Sequence, residues 1–128
     1  MIKKKEEEPN KMLDPFDMDN SKKIILKYVE NDSHVTIPEN VEKIADGAFK
    51  GKMITSITVP SSLREIGNYA FCGCKKLTSI EFLNGLEKIG DYAFKDCKNL
   101  TSIELPQSVI RIGKGAFNCT AICRKDIK

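Results

Sequence analysis

The stretch LTSIEFLNGLEKIGDYAFKDC, residues 77–97, decides the fold, because most of it returns as LTSIELPQSVIRIGKGAF at residues 100–117. The preceding unit reads ITSITVPSSLREIGNYAFCGC at 54–74, and a shorter first unit reads IPENVEKIADGAF at 37–49. Each unit contains one Ala-Phe pair, and the steps between the four phenylalanines are 22, 23 and 23 residues, at Phe49, Phe71, Phe94 and Phe117. A constant period of this length indicates a solenoid of stacked coils.

The apolar positions of each unit predict which side chains lie inside a coil. In the third unit, Ile80 and Phe82 alternate with polar residues as in a strand, so both should point inward. Equivalent strands of neighbouring coils should then pair in parallel at about 4.8 Å. We predict about four coils, with parallel strands on one face and short second strands and single helical turns on the other sides.

The corners of the coil have their own signals. Proline ends the first strand in three units, at Pro38, Pro60 and Pro106, whereas Leu83 occupies that place in the third unit, where a locally different corner is expected. A glycine follows the second strand, where we expect a sharp turn, at Gly67, Gly90 and Gly113. A polar residue then precedes each Ala-Phe pair and is expected to cap its helical turn, at Asp46, Asn68 and Asp91. The four phenylalanines should form a buried spine.

The chain divides into four predicted segments. Residues 1–23 are charged and lack periodicity, which predicts a flexible leader. Within it, residues 12–18 contain the only apolar cluster, interpreted as a partly docked arm or plain disorder, with a partner-binding motif as the alternative. We predict that residues 24–37 form an N-terminal strand or hairpin cap, that residues 35–120 form the solenoid, and that residues 121–128 form a short tail.

The repeated unit resembles the leucine-rich repeat of BspA type. The shared pattern is Leu-Thr-Ser-Ile-x-Leu-Pro, then Val or Leu, Ile-Gly, Ala-Phe and Cys, and it extends over about residues 35–120. The resemblance implies a leucine-rich-repeat solenoid that takes part in adhesion or protein recognition. Bacterial members are usually secreted or anchored, so the resemblance also implies an association with the cell surface.

Charge and hydropathy exclude several classes of protein. The 21 basic and 18 acidic residues are interleaved and sum to +3, which is not the footprint of a nucleic-acid-binding protein. The apolar runs span only a few residues, which excludes membrane insertion. Three glutamates follow the basic N-terminus where a secretory signal needs apolar residues, so we expect a cytoplasmic location for the chain as given.

The five cysteines are the strongest candidates for chemistry. Cys74 and Cys97 each follow a spine phenylalanine by three residues, which favours small buried thiols that donate weakly to turn carbonyls. Disulfides, or a zinc site built from the Cys72/Cys74 and Cys119/Cys123 pairs, are the alternatives. We favour reduced structural thiols, and predict no metal and no cofactor.

No catalytic residue is predicted. His34, the sole histidine, lies in an Asn-Asp-Ser-His segment that predicts a surface turn before the first coil, with a ligand or general base as the alternative. One histidine in a cap gives no basis for a Ser-His-Asp or Cys-His pairing. Each glycine is accounted for by a corner or turn, so no phosphate-binding loop is expected. We therefore predict that the protein is not an enzyme.

The outward side chains of the strands suggest a function. They should stack into rows of threonine, serine and glutamate, at Thr55, Thr78, Thr101, Ser56, Ser79, Ser102, Thr58, Glu81 and Glu104. Such a strip either solvates the sheet or binds an unidentified protein partner, and we predict a protein-interaction module. The alternative is a structural or self-assembling unit, or a fragment of a longer array, that stacks through the last coil, since only Ile122 and Ile127 are available to cover that coil.

Overall fold

The computed structural model describes residues 15–122, which form two sheets on adjoining sides of a solenoid; all their strand pairs are parallel except β1 with β2. The first sheet has the order β3-β5-β7 and the second β1-β2-β4-β6-β8-β9. The nine strands are β1 Phe16–Met18, β2 Ile24–Tyr28, β3 His34–Thr36, β4 Lys43–Ile44, β5 Ser56–Thr58, β6 Glu65–Ile66, β7 Ser79–Glu81, β8 Lys88–Ile89 and β9 Arg111–Ile112.

Both sheets follow the register that the repeat predicts. In the first sheet Ile57 pairs with Ile80, and in the second Ile66 pairs with Ile89, so the same column of every coil points inward. The fourth coil joins the first sheet only through an isolated bridge between Glu81 and Glu104. The predicted solenoid of about four coils with parallel strands is therefore confirmed.

The strand or hairpin cap predicted for residues 24–37 contains two strands, but they do not pair with each other as a hairpin. β2 and β3 lie in separate sheets: β2 pairs in parallel with β4, while β3 pairs in parallel with β5. The antiparallel partner of β2 is β1, which falls inside the predicted leader. Phe16 explains the difference, because this apolar residue packs against Tyr28 and Phe49 and so anchors β1 over the first coil. Residues 1–14 of the leader lie outside the described residues.

The predicted spine is present and extends one ring further. The rings of Phe71 and Phe94 are parallel within 3°, with centroids 5.1 Å apart, and Phe49 and Phe117 continue the stack on either side. Tyr28 stacks on Phe49 at 5.0 Å and closes the N-terminal end. Such rings bury large apolar surfaces, so they contribute strongly to the stability of the coil stack.

The Ala-Phe segments form consecutive turns in place of the predicted helical turns. Ala70 donates to Gly67, and Cys72 donates to Tyr69, each across three residues. Tyr69 adopts a φ of 60°, which interrupts a right-handed helix. The alternating geometry directs backbone amides towards the next coil, so hydrogen bonds between coils replace those within a helix.

The polar residues before the Ala-Phe pairs link coils and do not cap helices. The Asp46 carboxylate accepts from the Asn68 amide at 2.8 Å, the Asn68 side chain from the Asp91 amide at 2.8 Å, and the Asp91 carboxylate from the Lys114 amide at 2.9 Å. This side-chain ladder also explains the preceding glycine. A Cβ on Gly67 would lie 2.5 Å from Asp46 Oδ1, so close stacking requires glycine there.

The corner after β7 differs locally, as Leu83 predicted. In the other units the residue three after proline donates back to the proline carbonyl, as Leu63 does to Pro60 at 3.2 Å. In the third unit Gly85 instead adopts a φ of 125° and its amide donates to Ser108 of the fourth coil. Leu83 is left 46% exposed beside the first sheet.

Candidate functional site

The outward side of the β3-β5-β7 sheet forms the candidate site, which we call the strand face. The predicted rows stack in register, because Ser56 lies opposite Ser79 and Thr58 lies opposite Glu81. The face lines a shallow depression of about 800 Å³ that extends from His34 to Glu104. The strand face consists of the nine residues predicted from the sequence together with His34 and Thr36, which the sequence analysis did not assign to it. The nine are Thr55, Ser56, Thr58, Thr78, Ser79, Glu81, Thr101, Ser102 and Glu104.

His34 belongs to the strand face and not to a turn before it. It opens β3 and pairs with Ser56 across the sheet, so it begins the serine row. Its Nδ1 shares a hydrogen bond of 2.5 Å with Ser56 Oγ, and its Nε2 lies 3.5 Å from the hydroxyls of Thr36 and Thr58. The step from His34 to Ser56 is 22 residues, the same as from Phe49 to Phe71, so the repeat register contained this information.

The His34–Ser56 contact differs from a catalytic triad. In a triad, a carboxylate accepts a hydrogen bond from the second ring nitrogen and so holds the imidazole in the tautomer that can accept a proton. Here the second nitrogen faces two threonine hydroxyls. The contact is thus a polar network that orders the N-terminal part of the face.

The polar side chains of the strand face differ in whether groups of the protein satisfy them. In the second and third coils, Thr55 and Thr78 donate their hydroxyls to carbonyls of the preceding coil, at 2.9 and 3.2 Å. Within residues 15–122, by contrast, the side chains of Ser79, Ser102 and Glu104 make no hydrogen bond to another protein group. The C-terminal half of the face therefore presents donors and acceptors to solvent.

Opposite charges pair at the N-terminal part of the second sheet, although Lys88 stands opposite Arg111 further along it, whereas no ion pair forms on the strand face. On the second sheet, Lys43 and Glu65 stand opposite each other and form an ion pair of 3.5 Å. On the strand face, Glu81 and Glu104 stand opposite each other, and neither has an ion-pair partner in the described part of the chain. Like charges directly opposite on neighbouring strands are destabilising, so this end of the face favours a positively charged group.

The cysteines are placed as structural thiols. Cys74 and Cys97 are buried and donate to the carbonyls of Phe49 and Phe71, at 3.1 and 3.0 Å. The pKa of Cys74 is raised far above its usual range, first because its thiol shares a hydrogen bond with Cys97 and second because it is buried. Burial, reinforced by the negative charge of Asp96, also raises the pKa of the partly buried Cys72.

The fourth coil has no cysteine three residues after its spine phenylalanine, unlike the second and third coils. Thr120, three residues after Phe117, stands where the earlier coils have Cys74 and Cys97, and its hydroxyl donates to the Phe117 carbonyl. Cys119 is exposed and has a φ of 60°. Cys72, Cys74, Cys97 and Cys119 are all free thiols, and Cys123 lies outside the described residues. Across residues 15–122, no three side chains of His, Cys, Asp or Glu converge as metal ligands would.

Comparison with known families agrees with this geometry. The model of the BspA type leucine rich repeat region matches residues 21–128, with six copies of the repeat. The chain belongs to this family. The protein is therefore a leucine-rich-repeat scaffold, a class that commonly serves in protein interaction.

Solved structures show the same fold. A leucine rich repeat protein from T. pallidum is 30% identical, with a TM-score of 0.69, and the match covers 84% of this chain and 65% of that one. A leucine-rich repeat protein from Bacteroides capillosus is 27% identical, with a TM-score of 0.74, and the match covers 87% of this chain and 92% of that one. The chain thus spans about two thirds of the first relative and most of the second.

A third solved structure is described as a leucine rich cell surface protein from Faecalibacterium prausnitzii. It is 22% identical, with a TM-score of 0.61, and the match covers 90% of this chain and 43% of that one, which supports the fold alone. No curated protein matches the sequence. The described segment, residues 15–122, contains no helix of the length and apolarity that crossing a bilayer requires.

Proposed function

We propose that this leucine-rich-repeat protein binds another protein through the strand face, and that the bound segment carries basic side chains. The observation that carries the proposal is the pair of like charges on the strand face. Glu81 and Glu104 stand opposite each other, and no cation of the described residues pairs with either. A lysine or arginine of a partner would relieve their repulsion and form charge-assisted hydrogen bonds.

The remainder of the face suits a polar protein segment. Ser79 and Ser102 offer hydroxyls that both donate and accept, and the exposed Leu83 adds an apolar contact at the edge of the depression. The strands of the face pair with one another in a continuous register, so we expect binding to order few groups of this protein. Because cell-surface association is implied by the family, we propose that the protein meets its partner at the cell surface.

The proposal is tested by affinity capture with two matched double variants. Glu81→Lys with Glu104→Lys reverses two charges on the strand face, while Glu42→Lys with Glu87→Lys reverses two charges on the second sheet. A partner of the strand face is lost with the first variant and retained with the second. The triple variant Ser56→Arg, Ser79→Arg and Ser102→Arg should also lose it. Equal retention by all variants would refute binding through this face.

A further inference from the structure

One position in the Ala-Phe turns has a left-handed backbone in all four coils. The φ angles are 68° at Gly47, 60° at Tyr69, 58° at Tyr92 and 63° at Gly115. This region of backbone space favours glycine, and a bulky residue held there is strained. The second and third coils nevertheless place tyrosine at this position, so the two rings contribute something that a glycine turn would not.

The two tyrosines form an aromatic stack on the outside of the solenoid. Their ring centroids lie 5.2 Å apart and their planes meet at 23°. Unlike the buried rings of the spine, Tyr69 is 41% exposed. The stack ends at the fourth coil, because a Cβ on Gly115 would lie only 2.5 Å from Cε1 of Tyr92. The Tyr92 ring therefore fills the space that a side chain of the fourth coil would need.

The opposite end of the stack has an unfilled place at the first coil. A Cβ on Gly47 would meet no atom within 4 Å beyond its neighbours in the chain. Among the described rings only Tyr92 stacks on Tyr69, so the ring face towards the first coil stacks on no other ring. The Lys50 ammonium lies over the Tyr69 ring, 5.7 Å from its centroid. Gly47, Lys50 and Tyr69 thus bound the space in which a third ring would stand, which we call the Tyr69 site.

Polar groups next to the Tyr69 site have unused hydrogen-bonding capacity. In the part of the chain that the structure describes, the Tyr69 hydroxyl forms no hydrogen bond, and the Lys50 ammonium forms neither a hydrogen bond nor an ion pair. Asp46, beside Gly47 in the chain, accepts a hydrogen bond from the Asn68 amide, and its second oxygen has no donor among the described residues. The site therefore combines an aromatic surface with donors and an acceptor.

We propose that the Tyr69 site binds a pyranose ring of a polysaccharide, stacked on Tyr69 in the place of a third ring. One face of a pyranose consists of C–H groups, which pack on an aromatic surface, and its rim carries hydroxyls that donate and accept. Lys50 donates to one hydroxyl and Asp46 accepts from another. A sugar uses all three groups, whereas a purely aromatic ligand would use the ring alone. The site lies on the turns, so the inference does not depend on protein binding at the strand face.

The test uses the whole isotope-labelled chain under reducing conditions, titrated with three soluble hexasaccharides, namely maltohexaose, cellohexaose and chitohexaose. At least one should produce saturable shifts of the Gly47, Lys50 and Tyr69 amides, while the Ser79 amide on the strand face stays unchanged. Poly-glutamate tests binding by charge alone and should not shift the Tyr69 amide. Shifts of these amides with poly-glutamate but with no hexasaccharide would assign the site to acidic peptides and overturn the proposal.

Substitutions at Tyr69 separate the ring from its hydroxyl. Tyr69→Ala removes the stacking surface and should weaken sugar binding about tenfold or more, whereas Tyr69→Phe keeps the ring and should weaken it about threefold or less. The melting temperatures of both variants report whether the fold is retained. Equal losses in the two folded variants would show that the hydroxyl and not the ring face holds the sugar, which overturns the stacked geometry.

Gly47→Tyr fills the Tyr69 site from within the chain. Its backbone already has the left-handed geometry that tyrosine adopts in the next two coils, so the fold should be retained. The added ring should stack on Tyr69 and abolish the binding. Gly51→Tyr is the matched control, since Gly51 has a φ of 74° and equally open space, and it should leave the binding unchanged. The proposal is overturned if the folded Gly47→Tyr variant binds as the natural chain does, or if no hexasaccharide shifts these amides.

Discussion

The turn side and the strand face of the same coils use their polar groups in opposite ways. On the turn side, residues 46–52, 68–74 and 91–97, alternate backbone amides and a ladder of carboxylate and amide side chains bond to the next coil. On the strand face, side chains such as Ser79 and Glu104 point to solvent without protein partners in the described chain. The turn side therefore links neighbouring coils, while the strand face leaves part of its polar groups exposed to solvent, as the proposed binding of a protein requires.

The largest expected effect comes from the spine. Phe71→Ala removes a fully buried ring stacked on both sides, so the free energy of unfolding should fall by about 3–5 kcal/mol in denaturant titration. Phe117→Ala, at the open edge, should cost clearly less because that ring is only half-buried. Equal losses at the two sites would show that the last coil is as well packed as the second.

A pH effect should arise on the turn side, where Cys74 lies. The raised pKa of Cys74 keeps its thiol protonated in the folded state, while the same thiol ionises near pH 9.0 once the chain unfolds. The contribution of Cys74 to stability is therefore complete below about pH 9 and is lost as pH rises above that value.

The measurement is denaturant unfolding across the alkaline range, with two variants that separate the thiols. Cys74→Ala should flatten the alkaline decline, although it lowers stability at neutral pH. Cys119→Ala removes an exposed thiol and should leave the decline as it was. A decline that is the same in all three proteins would assign it to other groups.

The side-chain ladder should contribute a moderate effect. Asn68→Ala removes the acceptor of the Asp91 amide, so unfolding should become easier by about 1 kcal/mol. Asn68→Asp keeps an oxygen at the same place and should recover most of the loss, as judged by melting temperature. If the aspartate variant is as unstable as the alanine variant, the ladder is not what Asn68 contributes.

The smallest effect, of opposite sign, belongs to the strand face. Glu81→Gln with Glu104→Gln removes a repulsion between neighbouring strands and should raise the free energy of unfolding by about 0.2–1 kcal/mol at low salt. The gain should shrink as salt screens the charges. Lys43→Gln, which breaks an ion pair on the second sheet, should instead cost a few tenths of a kcal/mol at most. A loss of stability in the double variant would mean that these glutamates support the fold.

The repeat period was sufficient to predict most of the architecture. Because every coil must bury the same residues against its neighbours, the spacing of Phe49 and its equivalents predicted the spine, the parallel register and the rows of the strand face. The departure at Leu83 predicted an irregular corner for the same reason, since proline was missing there. Because the pattern occurs four times, the role of a position is clear even where one unit carries a different residue.

Features at the N-terminus lacked this repetition and were placed differently. Tyr28 joins the spine 21 residues before Phe49 without an Ala-Phe signature, and Phe16 anchors a strand inside a charged segment. His34 was interpreted as a turn residue because its neighbours have turn chemistry, although parallel pairing with Ser56 decides its place. The local sequence predicts a strand poorly where the strand forms mainly by pairing with the edge of an existing sheet.

By itself the sequence determined that the chain is a stack of coils and which residues each coil buries, because burial has the period of the repeat. Only the tertiary structure decided how the backbone turns between those residues and which polar atoms remain without a partner. Asp46 and Asn68 bond to the next coil instead of capping a helix because the amides they meet belong to residues 22 and 23 positions later in the chain. Contacts of that kind depend on the distance between coils, which is set by the packed rings of the spine.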